Sequence, residues 1–173
     1  PPVSCRSCAS RPSSPGMLDR FHARLQTPFA VLGIRTEGER IVRIEYLPKG
    51  AASLAPLNTL AERACKQIEC YLDDPRYEFT LPFDYAGSEF QCRVWRAISK
   101  IAPGKTLTYS DIALSIKSAP RAVGGACGRN RLPLIIPCHR VVAVGDIGGF
   151  MHARGGDPIH IKSWLLRHEG VRV

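Results

Sequence analysis

Apolar residues recur along the chain with two different periods, and the change from one to the other organises it. From Pro28 to Thr36 and from Arg40 to Leu47, the residues Val31, Ile34, Ile41, Val42, Ile44 and Tyr46 mark two β-rich runs. Between them lies Glu37-Gly38-Glu39, where glycine supplies the positive φ of a tight hairpin loop. The period then lengthens. Leu57, Leu60, Ala61, Ala64, Ile68, Tyr71 and Leu72 share one face of a helix over residues 57–72, with charges on the other. Asp73-Asp74-Pro75 stops that helix, and Tyr77 to Leu81 reads as a further short strand.

From Ser88 onward the pattern is helical. Ser88-x-x-Gln91 is a capping-box pair, and Phe90, Val94, Ile98 and Ile101 form the apolar stripe behind it. Pro103-Gly104 ends this stretch. Thr108 caps a short helix from Tyr109 to Ile116, the Lys117-Ser118-Ala119 break follows, and Pro120 opens a third helix, Arg121 to Cys127. A terminal helix from Ile159 to His168 buries Ile161, Trp164 and Leu165 and stops at Gly170. Strands early and helices late predict an α+β chain. Residues 17–87 form an N-terminal antiparallel sheet with a helix. Residues 88–173 form a mostly helical lobe containing a helix-turn-helix.

Charge sharpens this division. The net charge is +9, yet residues 1–91 hold 11 Lys/Arg against 11 Asp/Glu, and residues 92–173 hold 13 against 4. A basic half beside a neutral half suits a polyanionic partner or a solvated face, and charge alone does not choose between them. No apolar run is long enough to span a membrane. Seven cysteines without a repeating framework argue against a secreted disulfide scaffold and for a reducing intracellular compartment. Residues 1–16, rich in Pro and Ser, read as a leader outside the fold, and Cys5-x-x-Cys8 within it has no second pair to complete a zinc site.

Two segments carry chemistry. The helix from Arg121 holds Ala122, Gly124, Gly125 and Ala126, and two adjacent glycines cost a helix about 2 kcal/mol against alanine. So bare a helix implies close approach, either to a neighbouring helix or to a narrow DNA minor groove. The second segment is Ile135-Ile136-Pro137-Cys138-His139-Arg140-Val141-Val142. Cys65, Cys70, Cys92 and Cys127 read as small hydrophobes. Cys138 differs, because an imidazole adjoins it and a thiol needs a base or a cation to become a nucleophile. Adjacent strand residues face opposite ways, so His139 reaches the thiol only through a backbone turn or a bridging water.

Residues 90–170 resemble the O6-alkylguanine-DNA alkyltransferase family. The resemblance rests on Phe90-Gln91 with Val94-Trp95, Pro103-Gly104-Lys105-Thr106, Thr108-Tyr109, Arg121-Ala122-Val123-Gly124, Asn130, Ile136 to Val142, and Lys162-x-x-Leu165-Leu166 with Glu169-Gly170. It implies that Cys138 accepts an alkyl group from O6 of guanine, once and irreversibly. It further implies that His139 takes the thiol proton through a water, Glu169 orients His139, and Asn130 acts as a hinge. For DNA it implies that Arg121 fills the space left by a flipped base and Tyr109 donates to guanine N3. Ala122, Gly124, Gly125, Ala126 and Arg129 would meet the groove. Val141, Phe150, Met151 and Lys162 would surround the base, with backbone carbonyls at Cys138 and Val141 taking the exocyclic amine. The implied partner is double-stranded DNA containing O6-alkylguanine, with O4-alkylthymine a further candidate, bound by a monomer in the cytoplasm or nucleus. No cofactor, metal or membrane is called for.

This chain departs from the family pattern in the loop after Val142. Phe150 stands where many relatives carry tyrosine, Met151 where small residues are usual, and the stretch to Lys162 is about five residues longer. His152, Arg154, Gly155-Gly156, Asp157-Pro158 and His160 are expected in that loop, reshaping the pocket rather than binding metal. Two other classes compete. A damage sensor would lack the cysteine, and a Cys-His hydrolase would need an oxyanion hole that the sequence does not offer.

Overall fold

The computed structural model describes residues 5–6, 21–152 and 157–173. The expected leader and Cys5-x-x-Cys8 therefore lie outside the described residues, apart from strand β1 (Cys5–Arg6), which pairs in parallel with Tyr85–Ala86. Strands β2 (Ala23–Gln26), β3 (Val31–Glu37) and β4 (Arg40–Leu47) form an antiparallel sheet in that order. The first β-rich run begins at Val31 rather than Pro28. Thr27 and Ala30 close a turn there, with the Thr27 N–H donating to Ala30 O at 2.9 Å. Gly38, at φ +54°, makes the hairpin as its sequence demands.

Helix α1 (Thr59–Asp73) packs its Ala61, Ala64, Ile68 and Tyr71 face on the sheet. Asn58 caps it through Oδ1, which accepts from the Ala61 N–H at 2.8 Å, while its Nδ2 donates to Thr36 Oγ1 on β3 at 2.9 Å. Tyr77 to Leu81 is not a strand. Gln67 on α1 captures the segment, donating to Thr80 Oγ1 at 2.8 Å and accepting the Thr80 N–H at 2.9 Å. A side chain thus occupies the backbone group that a ladder would need. The sheet instead meets this stretch at Phe83, which bridges to Ile41, just before β5 (Tyr85–Ala86).

Helix α2 (Glu89–Ile98) starts with both bonds of the expected capping box between Ser88 and Gln91. Strand β6 (Leu107–Thr108) leads into α3 (Tyr109–Ser115), where Thr108 and Asp111 form a second capping box. Lys117, at φ +54°, reverses the chain after α3, and Ser118 N–H returns to Ala113 O at 2.8 Å. Pro120 then opens α4 (Pro120–Gly128), so the helix-turn-helix is present. Cys138–Arg140 form one 3₁₀ turn, followed by β7 (Val141–Val142) and α5 (Asp157–His168). Asp157, Pro158 and His160, expected in the loop, belong to the start of α5, while Arg154 and Gly155-Gly156 lie outside the described residues.

One buried cluster runs through the chain, from Leu32, Ile34 and Ile68 to Val94, Ile98, Ile112, Val123 and Leu165. Ile44 N–H on β4 donates to Arg131 O at 2.9 Å, tying the sheet to the loop before Cys138. The described helices include none long and apolar enough to cross a membrane.

Candidate active site

The segment holding Cys138 turns where its β-branched sequence suggested a strand. Pro137 adopts φ −80° and ψ 64°, an inverse γ-turn in which Cys138 N–H donates to Ile136 O at 2.8 Å. Proline fixes that φ, and the 3₁₀ turn follows. Successive side chains on such a turn diverge by roughly 120° rather than 180°, so Cys138 and His139 need not face opposite ways. Strand β7 pairs in parallel with β6, Leu107 opposite Val141 and Thr108 opposite Val142. That pairing brings Tyr109, the first residue of α3, beside the turn.

Cys138 is 6% exposed and lines a cavity of about 330 Å³. Tyr109, Arg121, Gly124, Cys127 and the Gly149–His152 segment line it too. Asn130 Nδ2 donates to Cys138 Sγ at 3.2 Å and to Ile136 O at 2.9 Å, and Asn130 Oδ1 accepts the Leu132 N–H at 2.9 Å. Asn130 therefore joins the end of α4 to the turn. Burial raises the Cys138 thiol above its ordinary range, while the Asn130 hydrogen bond and the Lys162 charge pull it back down.

Behind the thiol sits a buried polar cluster. His139, 1% exposed, places Nε2 2.9 Å from Glu169 Oε1. Arg140 meets the same carboxylate through Nη2 to Oε1 at 2.8 Å and Nε to Oε2 at 3.0 Å, and its Nη1 donates to Ile101 O at 2.6 Å. Tyr71 Oη donates to Glu169 Oε1 at 2.8 Å, and Gly104 N–H reaches Oε2 at 3.3 Å. Burial alone would raise the Glu169 carboxyl. The hydrogen bonds and charges of His139 and Arg140 outweigh it and hold the group well below the usual carboxylate range. An ionised carboxylate only accepts, so His139 carries its proton on Nε2 and presents a lone pair at Nδ1. Burial also lowers the His139 pKa, which keeps the imidazole neutral.

Glu169 owes its place to the end of α5. Gly170, at φ +82°, lets its N–H donate to Arg167 O at 2.9 Å and the Val171 N–H to Leu166 O at 2.9 Å. This is a Schellman closure, and it sets Glu169 just beyond the helix rather than within it. Arg140 and Tyr71 were not picked out from the sequence as site residues. Arg140 stood inside the quoted Cys-His-Arg run, and Tyr71 stood among the core positions of its helix.

The residues expected at the DNA face divide. Arg121 and Ala122 are exposed on α4, and Arg129 is exposed just beyond it. A Cβ added to Gly125 would meet nothing within 4 Å, and one on Gly124 only Tyr109 at 3.9 Å. Helix packing therefore does not explain these two glycines. Ala126 is a correction. It is 3% exposed, and its carbonyl accepts from Trp95 Nε1 at 2.9 Å, so it faces the core and not a groove. Gly128 is required by close approach, since a Cβ there would lie 2.3 Å from the His152 ring.

Around the cavity, Phe150 is buried at 5% exposure, and Met151, at φ +51°, stands 42% exposed at its edge. Lys162 is fully buried, which its residue type did not suggest. Its Nζ donates to Val141 O at 2.7 Å and Gly149 O at 2.9 Å, and burial lowers its pKa to about 8. Tyr109 Oη donates to the same Gly149 O at 3.0 Å. Of the cysteines, Cys127 shares the cavity, Cys70 is exposed and Cys65 is buried as expected, whereas Cys92 is buried with its sulfur in a disulfide.

A buried thiol backed by an oriented neutral imidazole, open to a cavity beside an unpacked helix face, is the arrangement of a candidate nucleophile. Residues 89–171 match the model of the 6-O-methylguanine DNA methyltransferase DNA-binding domain. A methylated-DNA–protein-cysteine methyltransferase of Archaeoglobus fulgidus is 44% identical over 107 residues, covering 61% of this chain and 73% of that protein. One from Metallosphaera sedula is 34% identical over 148 residues, covering 85% and 91%. The chain also resembles the crystal structure of the Mycobacterium tuberculosis O6-methylguanine methyltransferase, with a TM-score of 0.73, 29% identity and coverage of 87% and 93%. A structure of the Mycobacterium tuberculosis protein in complex with DNA matches with a TM-score of 0.70, 30% identity and coverage of 84% and 90%. The chain belongs to the methylated-DNA–protein-cysteine methyltransferase family, DNA-binding proteins that repair DNA by alkyl transfer.

Proposed function

We propose that this chain reverses O6-alkylguanine damage in double-stranded DNA by moving the alkyl group onto Cys138 Sγ, once per molecule. The observation that carries this reading is the Cys138 thiol in a cavity with the His139–Glu169 pair behind it. His139 Nδ1 takes the thiol proton through a water, and Glu169 balances the imidazolium that forms. The thiolate attacks the alkyl carbon. An S–C bond forms as the C–O6 bond breaks, and the electron pair leaves with guanine. The product is a thioether, which water does not hydrolyse, so turnover stops at one.

A stacked guanine does not reach a thiol this deep, and the base has to leave the duplex at a cost of a few kcal/mol. The unpacked face of α4 at exposed Ala122 and half-buried Gly124 and Gly125 suits a minor groove, with Arg121 filling the vacated stack. Tyr109, now bonded to Gly149 O, turns its hydroxyl to guanine N3 as negative charge builds on the leaving base. Lys162 braces Val141 and Gly149 beneath the base, and Met151 at the cavity edge limits the alkyl groups admitted. The chain acts as a monomer, and O4-alkylthymine is a secondary substrate.

The test is intact-protein and peptide mass spectrometry after incubation with excess O6-methylguanine duplex. One methyl per chain, confined to the Cys138 peptide, is expected. Folded protein that binds the duplex and gains no mass would refute the proposal.

A further inference from the structure

Three side-chain polar atoms of the described residues are buried without a hydrogen-bond partner: Arg24 Nε, His139 Nδ1 and Tyr46 Oη. Buried polar groups are nearly always paired, so each orphan calls for a reason. The last two belong to residues next to the Cys138 cavity, His139 following Cys138 and Tyr46 packing on Phe150. Tyr46 stands on β4, two residues beyond Ile44, whose N–H is bonded to Arg131 O at 2.9 Å. That bond lies in the plane of the sheet and brings the loop before Cys138 alongside β4 near Tyr46.

The Tyr46 ring packs 5.9 Å from the Phe150 ring, and Phe150 lines the Cys138 cavity. The Tyr46 hydroxyl lies within electrostatic reach of both Cys138 and Tyr71, and Tyr71 is bonded to Glu169. The Phe150 contact therefore sets Tyr46 at the wall of the Cys138 cavity.

We infer that Tyr46 is a positioning residue for the thiol: its hydroxyl and His139 Nδ1 together hold one water against Cys138 Sγ. This rests on the reading of Cys138 as the alkyl acceptor with His139 as its base, and adds a member from the N-terminal sheet. Three polar partners fall within the two to four that a buried water takes. Burial keeps the phenol protonated, so Tyr46 is a donor to the water throughout. The water in turn donates to Nδ1. When the thiol ionises, its S–H bond breaks as one O–H bond of the water re-forms, and the other O–H bond breaks as Nδ1–H forms. The water is regenerated, and a thiolate and an imidazolium remain.

The other groups facing Cys138 are Asn130, Cys127 from α4, Tyr109 from α3, Lys162 from α5, and the His139–Arg140–Glu169 cluster with Tyr71 from α1. None of these is altered by Tyr46→Phe, which keeps the ring and removes only the hydroxyl. Two measurements on the full chain read the effect. One is the rate of Cys138 alkylation by iodoacetamide against pH, followed by peptide mass spectrometry. The other is single-turnover methyl transfer from O6-methylguanine duplex.

Tyr46→Phe is expected to slow both about five- to tenfold, the effect of one lost hydrogen bond. The acid limb of the iodoacetamide profile should move up by roughly one pH unit, with melting temperature and duplex binding held. A merely structural role would lower the melting temperature and leave the limb in place, and that outcome overturns the inference. So do wild-type rates. The two readings fail separately: wild type that takes no methyl from DNA overturns the repair reading, and an unmoved iodoacetamide limb in Tyr46→Phe overturns this one.

Discussion

Glu169→Gln isolates what the buried carboxylate contributes, because the side chain keeps its shape and loses its charge. His139 becomes an imidazolium when Cys138 ionises, with Nε2 2.9 Å from Glu169 Oε1. Charge centres about 4 Å apart at an effective dielectric near 20 attract by roughly 4 kcal/mol. Desolvation and relaxation take back part of that, so methyl transfer should fall about 10²- to 10³-fold. The same change leaves Arg140 buried without its partner, a loss of about 3–5 kcal/mol in stability. Glu169 has a folded-state pKa below its unfolded value. Its contribution is therefore complete above about pH 4.3 and disappears as pH falls toward the folded value, so wild type and variant should converge in acid. The assay is single-turnover transfer from O6-methylguanine duplex, run well below the variant's melting temperature and with circular dichroism verifying the fold. A folded variant within about threefold of wild type, less than about 1 kcal/mol of barrier, would refute the role given to Glu169.

Three further outcomes are expected. Gly125→Ala meets no atom in the folded chain and should raise stability by about 0.5–1 kcal/mol through helix propensity while weakening duplex binding; unchanged binding would remove α4 from the interface. Arg121→Ala should slow repair in duplex far more than reaction with free benzylguanine, and equal losses on both would contradict base flipping by Arg121. Lys162 has its pKa lowered to about 8 from 10.5, so between those values the unfolded chain holds a proton that the folded chain releases. Wild type should gain stability relative to Lys162→Met as pH rises through that window, and a constant difference in denaturant titrations would contradict the buried charge.

The elements that local pattern controls were the ones legible in the sequence. Ser88 with Gln91 and Thr108 each mark a helix start through bonds that close within three residues, and Gly38 marks a hairpin for the same local reason. Tyr77–Leu81 had strand composition, but Gln67, more than ten residues away, took the Thr80 N–H. Cys138–Arg140 lay among β-branched residues, and Pro137 turned the chain there in spite of them.

The proposed nucleophile, base and orienting carboxylate came from motifs of the family resemblance, whereas the rest of the cluster depends on contacts across the chain. Tyr71 and Glu169 are 98 residues apart, and no periodicity connects them. One demand was nevertheless readable. A tyrosine on the core face of a helix buries an O–H that has to find an acceptor. An arginine inside an apolar run likewise has to find an anion. Residues 92–173 contain only four carboxylates, Asp111, Asp146, Asp157 and Glu169. Asp111 is committed to the Thr108 cap and Asp157 opens α5. With those two placed, counting the acceptors left in this half narrows the anion for Arg140 to Glu169 or Asp146. Such a count still would not have found Tyr46, since a strand position shared by core and surface does not reveal on which side its hydroxyl ends.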